Sequence, residues 1–432
     1  MKTGSVNRRG FVRAGAAVIG APAIIPAYVL GAEAPSNDIV IAAIGQGGMG
    51  RGNTANLMRR RDCRVVAVCD VDPRRRAAGK TMVDNYYGNK DCLATEDYLE
   101  IVAREDIDAV MIALPDHWHA RAAIDVLRSG KDVYGEKPVA RTIREGRAIC
   151  DAVERYGRIW QTGSWQRSQR NFLIGAEMVH NGVLGEIQRV EVGIPGGVHD
   201  SPLVPVTPPP EGFNYERWLG PAPWRPHRAL GREGRTMHWN WRWIRDYGAG
   251  YLSDWCPHHL DIAHWGMGYD RTGPVKITEA RGIFPERGLF NTPGQFYFKA
   301  HYADGHIIEV GCPPGMNMGT KWIGERGSIR VNRGGLLEID PPELRHEYGR
   351  GNWKALTRSV NHHENFVRCI RSRRTTVAPA EVGHRTASVA LLCEISLLLG
   401  RDVHWDPERE SILNDPTANA MLGRTYREPW SL

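Results

Sequence analysis

The sequence predicts an α/β protein: a doubly wound parallel sheet first, then a second α/β domain built on a large open, mostly antiparallel sheet. Three observations carry this. Ile39–Ile44 is an unbroken run of Ile, Val and Ala, as expected of a strand buried on both faces. Gly45, Gly47 and Gly50 follow it in G-x-G-x-x-G spacing. A second apolar run, Arg64–Cys69, ends in Asp70, twenty residues beyond Gly50. Strand, glycine turn, helix, strand and acid in this order form a Rossmann-type dinucleotide site. The glycines permit a tight turn and close backbone approach to a pyrophosphate, and the acid accepts hydrogen bonds from the adenosine ribose. The helix from Met49 to Arg60 places its N-terminus at the phosphates. Gly45, Gly47, Gly48, Met49, Gly50 and Asp70 are therefore candidate cofactor residues.

A chain of 432 residues exceeds one ordinary core, so more than one domain is expected. The boundaries read as a leader over 1–34, a nucleotide-binding domain over 35–164 and a substrate and oligomerisation domain over 165–432. Hydrophobic residues at 42% and charged residues at 24% are globular values. The eight cysteines form no C-x-x-C pair and specify no disulfide. Of the formal charge of +7, the first 34 residues hold four cations and one acid, which leaves +4 on the remainder. That mild excess, without a basic run interleaved with aromatics, gives no reason to expect a nucleic-acid partner.

The leader has Arg8-Arg9, then Phe11, the apolar stretch Ala14–Leu30, and Ala32-Glu33-Ala34 as a small-residue cleavage site. It resembles a twin-arginine export signal. Pro22 and Pro26 interrupt a stretch already short for a membrane span, so cleavage rather than a lasting anchor is expected. The twin-arginine export machinery is then a partner, and a periplasmic location follows. Residues 38–164 alternate strand and helix, with strands at Asp106–Leu114, Asp132–Tyr134 and Ile159–Thr162 and a helix over Thr142–Tyr156. Ligands of such a sheet sit beyond the carboxyl ends of its strands. Pro115, His117, His119, Glu136 and Lys137 fall there and join the cofactor candidates.

Beyond residue 164 the pattern changes. A helix is expected over Phe172–Asn181 and a strand over Ile187–Gly193. Gly196–His227, with Pro208-Pro209-Pro210, reads as a long surface loop. Strands are expected at Val275–Ile283, Gln295–Tyr302, His306–Cys312, Thr320–Gly324 and Ser328–Asn332, and a helix over His384–Leu399.

Three groups of residues carry chemistry. Lys137, between Glu136 and Pro138 at a strand end, can offer its ammonium to a substrate hydroxyl and the nicotinamide ribose, although most lysines are surface residues. If the chain is helical from Asp254, then Asp254, His258 and Asp261 share one face, and the carboxylate orients the imidazole as a base. The alternatives are a polar helix face at a domain interface, or a metal site of His258, His259, Asp261 and His264. The divergence of adjacent histidines by about 100° disfavours metal, so no metal ligand is assigned. Third, Trp239, Trp241 and Trp243 alternate, and Trp165, Trp218, Trp224, Trp255 and Trp265 add to them. Such rings suit sugar faces, though packing explains most of them. Trp165, Gln166 and Arg167 are the candidate pocket wall, with Asp254 and His258 the further substrate contacts.

The Gly45–Gly50 turn, Pro115-Asp116-His117, Glu136-Lys137-Pro138 and Asp254-x-x-x-His258-x-x-Asp261, in this order, resemble the glucose–fructose oxidoreductase/inositol dehydrogenase (Gfo/Idh/MocA) family. WLGPAPWRP at 218–226 and WDPE at 405–408 resemble its exported branch. The resemblance implies catalytic roles for Lys137, Asp254 and His258, a carbohydrate or polyol substrate, and a homo-oligomer built through the open sheet. Cys256 and His259 depart from many relatives. Asp70 favours NAD, and Arg74–Arg76 leave NADP open. The expected activity is hydride transfer between a hydroxyl and a tightly held nicotinamide cofactor. A redox-assisted glycosidase and a non-catalytic sugar-binding protein are the alternatives.

Overall fold

The computed structural model describes residues 38–432, except 199, 201, 202, 233 and 235. The expected leader lies outside the described residues. Strand β1 (Ile39–Ile44) has its last four residues buried and runs straight into the glycine turn, where α1 (Gly48–Met58) begins. β2 (Cys63–Cys69) pairs parallel with β1 and sets Asp70 beside that turn. Asp72 caps α2 (Pro73–Tyr87) by accepting from the Arg74 amide. β3 (Leu93–Thr95), α3 (Tyr98–Val102), β4 (Ala109–Ile112), α4 (Asp116–Arg128) and β5 (Asp132–Gly135) follow. α5 (Ile143–Tyr156) starts with a capping box between Thr142 and Glu145, which fixes its first residue, and β6 (Trp160–Thr162) closes the first sheet.

The strand order is β3-β2-β1-β4-β5-β6, with parallel pairing throughout. The chain leaves β1 toward one edge and returns to β4 on its other side. That reversal opens a crevice at the carboxyl ends of β1 and β4, where such sheets bind ligands.

α6 (Arg170–His180) and β7 (Ile187–Gly193) enter the second sheet. Next come α7 (Tyr215–Leu219), α8 (Tyr251–Asp254) and α9 (Cys256–Met267). The strands β8 (Lys276–Ile283), β9 (Gln295–His301), β10 (Ile307–Gly311), β11 (Gly319–Gly324), β12 (Gly327–Asn332) and β13 (Leu336–Asp340) follow in sequence. α10 (His362–Ser372), α11 (Ala380–Leu399), β14 (Val403–Asp406), β15 (Ser411–Ile412) and α12 (Pro416–Ala420) complete the chain. The nine strands are ordered β13-β12-β11-β7-β10-β9-β8-β14-β15. Their pairings are antiparallel except β7 with β10.

One face of this sheet is apolar. Phe296, Phe298, Val190, Val192, Ile308 and Trp322 pack there with Phe172 of α6, Leu260 of α9 and Leu392 of α11. α11 is long and apolar enough to cross a membrane, but it is largely buried in this core. The opposite face carries charged pairs, including Arg189 with Glu309 and Lys299 with Glu279. α10 is far from the first sheet in sequence yet covers it: Phe366, Val367 and Ile370 share a core with Ile41, Val65 and Tyr134. The proline-rich stretch, expected as one long surface loop, instead contains α7 and contributes to a small core of its own. Phe213, Trp218, Leu230, Trp241, Trp243, Ile244 and Tyr247 are buried together.

Candidate active site

Two glycines make the nucleotide turn possible. Gly45 has φ 90°, and a Cβ there would lie 2.2 Å from the Ala113 carbonyl oxygen. A Cβ on Gly50 would lie 1.8 Å from the Gly45 oxygen. Backbone therefore packs on backbone at both positions, and a side chain at either would force the strands and α1 apart. The cleft side of the turn is open: a Cβ on Gly48 would meet nothing within 4 Å. Asp70 is pinned beside it. Its Oδ2 accepts from the Gln46 amide at 2.8 Å and its Oδ1 from the Asp72 amide at 2.9 Å. Burial raises its pKa, against the opposing backbone hydrogen bonds and the charge of Arg75. A bare backbone turn opening on a helix N-terminus, with a fixed carboxylate at the next strand end, fits a dinucleotide.

A cleft of about 550 Å³ runs from this turn to the second domain. Gly45, Gly47, Gly48, Met49, Gly50, Asp70, Pro115, Glu136, Lys137, Trp165, Asp254 and His258 all line it. Lys137 reaches it from the end of β5, and its Nζ donates to the Asp254 backbone oxygen at 2.8 Å and to Oδ1 at 2.7 Å. Arg242 Nε lies 3.4 Å from the other carboxylate oxygen. Burial alone would raise the pKa of Asp254, but the charges of Lys137 and Arg242 outweigh it and hold the group ionised. His258 stands against the rings of Trp165 and Trp255, at centroid distances of 6.4 and 5.7 Å. Burial first, and then the charges of Lys137 and Arg333, hold its pKa well below the ordinary histidine range. Neither ring nitrogen has a hydrogen-bond partner among the described residues, and Nδ1 is fully buried. The site thus presents a neutral imidazole beside an ammonium.

Several expectations are corrected. Asp254 does not orient His258. α8 ends at Asp254, Trp255 intervenes with φ −108° and ψ −36°, and α9 begins afresh at Cys256 with Pro257 in its first turn. Both side chains still line the cleft, but Asp254 is bonded to Lys137 and not to His258. Asp261 points away from the cleft, where its Oδ2 accepts from Arg167 Nε at 2.8 Å. Arg167 is also bound to Asp270 and lies over Trp265, so it is a buried structural cation and not pocket wall. Gln166 sits behind the wall. Its Nε2 donates to the His258 backbone oxygen at 3.0 Å, and its Oε1 accepts from Arg333. His117 and His119 do not line the cleft either. His117 Nε2 is 3.0 Å from the Trp218 oxygen, while His119 spans the Pro138 and Leu114 oxygens at 2.7 and 2.8 Å. His119 thereby ties together the two strand-end turns that do face the cleft. The histidines of the alternative metal set diverge: His259 adjoins Gln166 and His264 bonds the Tyr302 hydroxyl.

The cleft also holds residues given no site role from sequence. Asp116 accepts from the Ser253 hydroxyl at 2.8 Å, and burial raises its pKa. Trp218, Trp239 and Trp241, read as packing, form cleft wall together with Trp430. Arg333 lies between the rings of Trp165 and Trp255. The alternating tryptophans were a usable signal for the wall; nothing local marks Arg333.

Residues 39–164 match the family model of the oxidoreductase family, NAD-binding Rossmann fold, and residues 178–432 match that of its C-terminal alpha/beta domain. The chain belongs to the Gfo/Idh/MocA oxidoreductase family. It carries that family's NAD-binding Rossmann domain. A glycosyl hydrolase family 109 protein of Shewanella baltica (strain OS185) is 30% identical over 209 residues, 42% of this chain and 44% of the relative. One from Shewanella pealeana is 30% identical over 168 residues, 37% of this chain and 36% of its own length. The match thus spans less than half of these relatives. Among solved structures, the WlbA dehydrogenase from Bordetella pertussis in complex with NADH and UDP-GlcNAcA superposes with a TM-score of 0.62 at 16% identity, over 85% of this chain and 99% of that one. The aldose-aldose oxidoreductase from Caulobacter crescentus complexed with glycerol gives 0.60 at 17% identity, over the same shares. At such identities the Gfo/Idh/MocA fold is what is shared.

Proposed function

We propose that this oxidoreductase transfers hydride between a CH–OH group of a sugar or cyclic polyol and NAD. The observation that carries the proposal is the single cleft joining the glycine turn to Lys137, Asp254 and His258. NAD, held by the glycine turn and Asp70, supplies the hydride acceptor. Asp254 fixes the Lys137 ammonium with two hydrogen bonds, and the third N–H of Nζ donates to the substrate oxygen. His258, kept neutral, takes the hydroxyl proton. Asp70 favours NAD because a carboxylate repels the 2′-phosphate of NADP; Arg75, beside Gly47, is the residue through which NADP would be admitted.

The leader pattern supports export by the twin-arginine route, which carries folded proteins. A nucleotide retained through each catalytic cycle fits that location. The exposed charged face of the nine-stranded sheet is the proposed contact between copies. Mass spectrometry of the small molecules released on denaturation, followed by a sugar panel, tests the proposal. NAD or NADH at near-stoichiometric yield and NAD-linked turnover on a sugar are expected. Protein free of nucleotide with only weak affinity for it would contradict it. Lys substitution at Arg8 and Arg9, with fractionation, tests the export route.

The glycosyl hydrolase family 109 relatives favour a second reading. Oxidation at the sugar C3 acidifies the C2 proton, loss of that proton expels the C1 substituent, water adds, and the hydride returns. A second base is required, and Asp116 is a buried carboxylate in the same cleft whose pKa is raised by burial. Release of nitrophenol from nitrophenyl glycosides without net NADH formation distinguishes this reading.

A further inference from the structure

The cleft contains three cations at its substrate end, and only two of them have an ion-pair partner among the described residues. Lys137 and Arg242 share Asp254. Arg333 lies just past β12 in the turn to β13, and no carboxylate pairs with it among the described residues. Its environment is nevertheless built. The guanidinium carbon is 4.7 Å from the centroid of Trp165 and 4.5 Å from that of Trp255, so the planar group is sandwiched between two indole faces. Nε donates to Gln166 Oε1 at 3.1 Å, which sets the rotation of the plane. Nη2 is buried with no partner, and Nη1 has no hydrogen bond among the described residues.

A cation fixed on three sides, with Nη1 unpartnered and not enclosed, is placed to receive an anionic group of a ligand. A guanidinium N–H makes a strong, charge-assisted hydrogen bond to a carboxylate oxygen. The three cations share one ion-paired carboxylate, that of Asp254, so this end of the cleft favours an anionic ligand. Lys137 and His258 lie in the same cleft, and the Arg333 charge is felt at His258.

The geometry points to Arg333 as the residue that selects an acidic sugar, binding the carboxylate of a hexuronate or aldonate through Nη1 while a ring or chain hydroxyl lies at Lys137 and His258. This rests on the carbohydrate oxidoreductase reading and names its substrate class.

The test pairs each hexose with its uronate: glucose with glucuronate, and galactose with galacturonate, with glucose 6-phosphate as a third arm. Binding to the NAD-loaded protein is followed by tryptophan fluorescence, since Trp165 and Trp255 flank the guanidinium. Turnover is followed by NADH absorbance. At least one uronate is expected to bind about 10- to 100-fold more tightly than its hexose, the range for a hydrogen-bonded charge. Arg333→Met brings that ratio near unity, and Arg333→Lys, which keeps charge but loses the planar group held by Trp165, Trp255 and Gln166, leaves an intermediate ratio. A wild-type protein with no uronate preference, whether it binds both sugars or neither, overturns the inference. So does a ratio that survives Arg333→Met. Tighter binding of glucose 6-phosphate than of glucuronate overturns the assignment to a carboxylate. A uronate preference lost in Arg333→Met without NADH change on any sugar upholds the selector and counts against the oxidoreductase reading.

Discussion

Replacing Lys137 by Met separates structural from catalytic roles at the centre of the site. The side chains of Lys137 and Asp254 are 9% and 16% exposed, so their pairing is a buried one. Lys137→Met removes the hydrogen bonds at 2.7 and 2.8 Å and leaves Asp254 with Arg242 alone, at 3.4 Å. Stranding a buried charge costs about 3–5 kcal/mol. Arg242 recovers part of this, so a loss of about 3 kcal/mol is expected, a sizeable share of a total of roughly 5–15 kcal/mol. The double variant Lys137→Met/Asp254→Asn removes the stranded charge and is expected to regain most of that stability. It does not regain activity, because the ammonium that donates to the developing alkoxide is still absent. A positioned donor of this kind is worth about 10²- to 10³-fold in kcat. Urea unfolding midpoints of the NAD-free proteins give the first quantity, and hydride-transfer rates of the loaded proteins give the second. A double variant within tenfold of wild-type turnover would refute the role given to Lys137. So would a single variant as stable as the wild type.

The glycine turn gives a paired prediction: Gly50→Ala, whose Cβ would lie 1.8 Å from a backbone oxygen, is expected to lose retained nucleotide and at least about 1–3 kcal/mol. Gly52→Ala, in the open interior of α1, is expected to gain about 0.5–1 kcal/mol and keep its nucleotide. Acid should destabilise the fold. Burial lowers His259 and His362 to about 3 and His264 to about 4, so the unfolded chain binds protons below pH 6.5 that the folded chain refuses. Stability is complete above that pH and falls as pH drops toward the folded values, by about 2 kcal/mol per histidine at pH 5. Asp116 and Glu136, raised by burial, offset part of this. A melting temperature equal at pH 7 and pH 5 would contradict it. Because His258 is also held neutral, the acid limb of kcat/KM should lie well below the ordinary histidine range.

The residues that were legible in the sequence act through local pattern. β1, the glycine turn and Asp70 are within thirty-two residues of one another, and each is dictated by what its neighbours permit. Lys137 could be placed in the cleft because strand ends in a doubly wound sheet share one edge. The second domain was legible strand by strand, since β7 to β12 alternate or run apolar. β3, β13 and the terminal strands were not, being short or half exposed. Errors arose where a distant partner decides. Asp254 pairs with Lys137, 117 residues away in sequence, and not with His258 four residues on. Arg167 looked like pocket wall because its partners, Asp261 and Asp270, lie about a hundred residues away. Arg333 depends on two tryptophans and a glutamine from two other parts of the chain, and no window of sequence contains that sandwich.

A crystal structure of the protein with NADH bound tests the central claim most directly, because Lys137 and His258 must meet at the nicotinamide. The expected result is the diphosphate on the Gly45–Gly50 turn, with the nicotinamide C4 and both side chains bordering one substrate-sized space, so that an oxygen about 3 Å from Nζ also lies within about 3.5 Å of C4 through its carbon. A nicotinamide ring turned away from Lys137, or a nucleotide seated elsewhere than on the glycine turn, would contradict it.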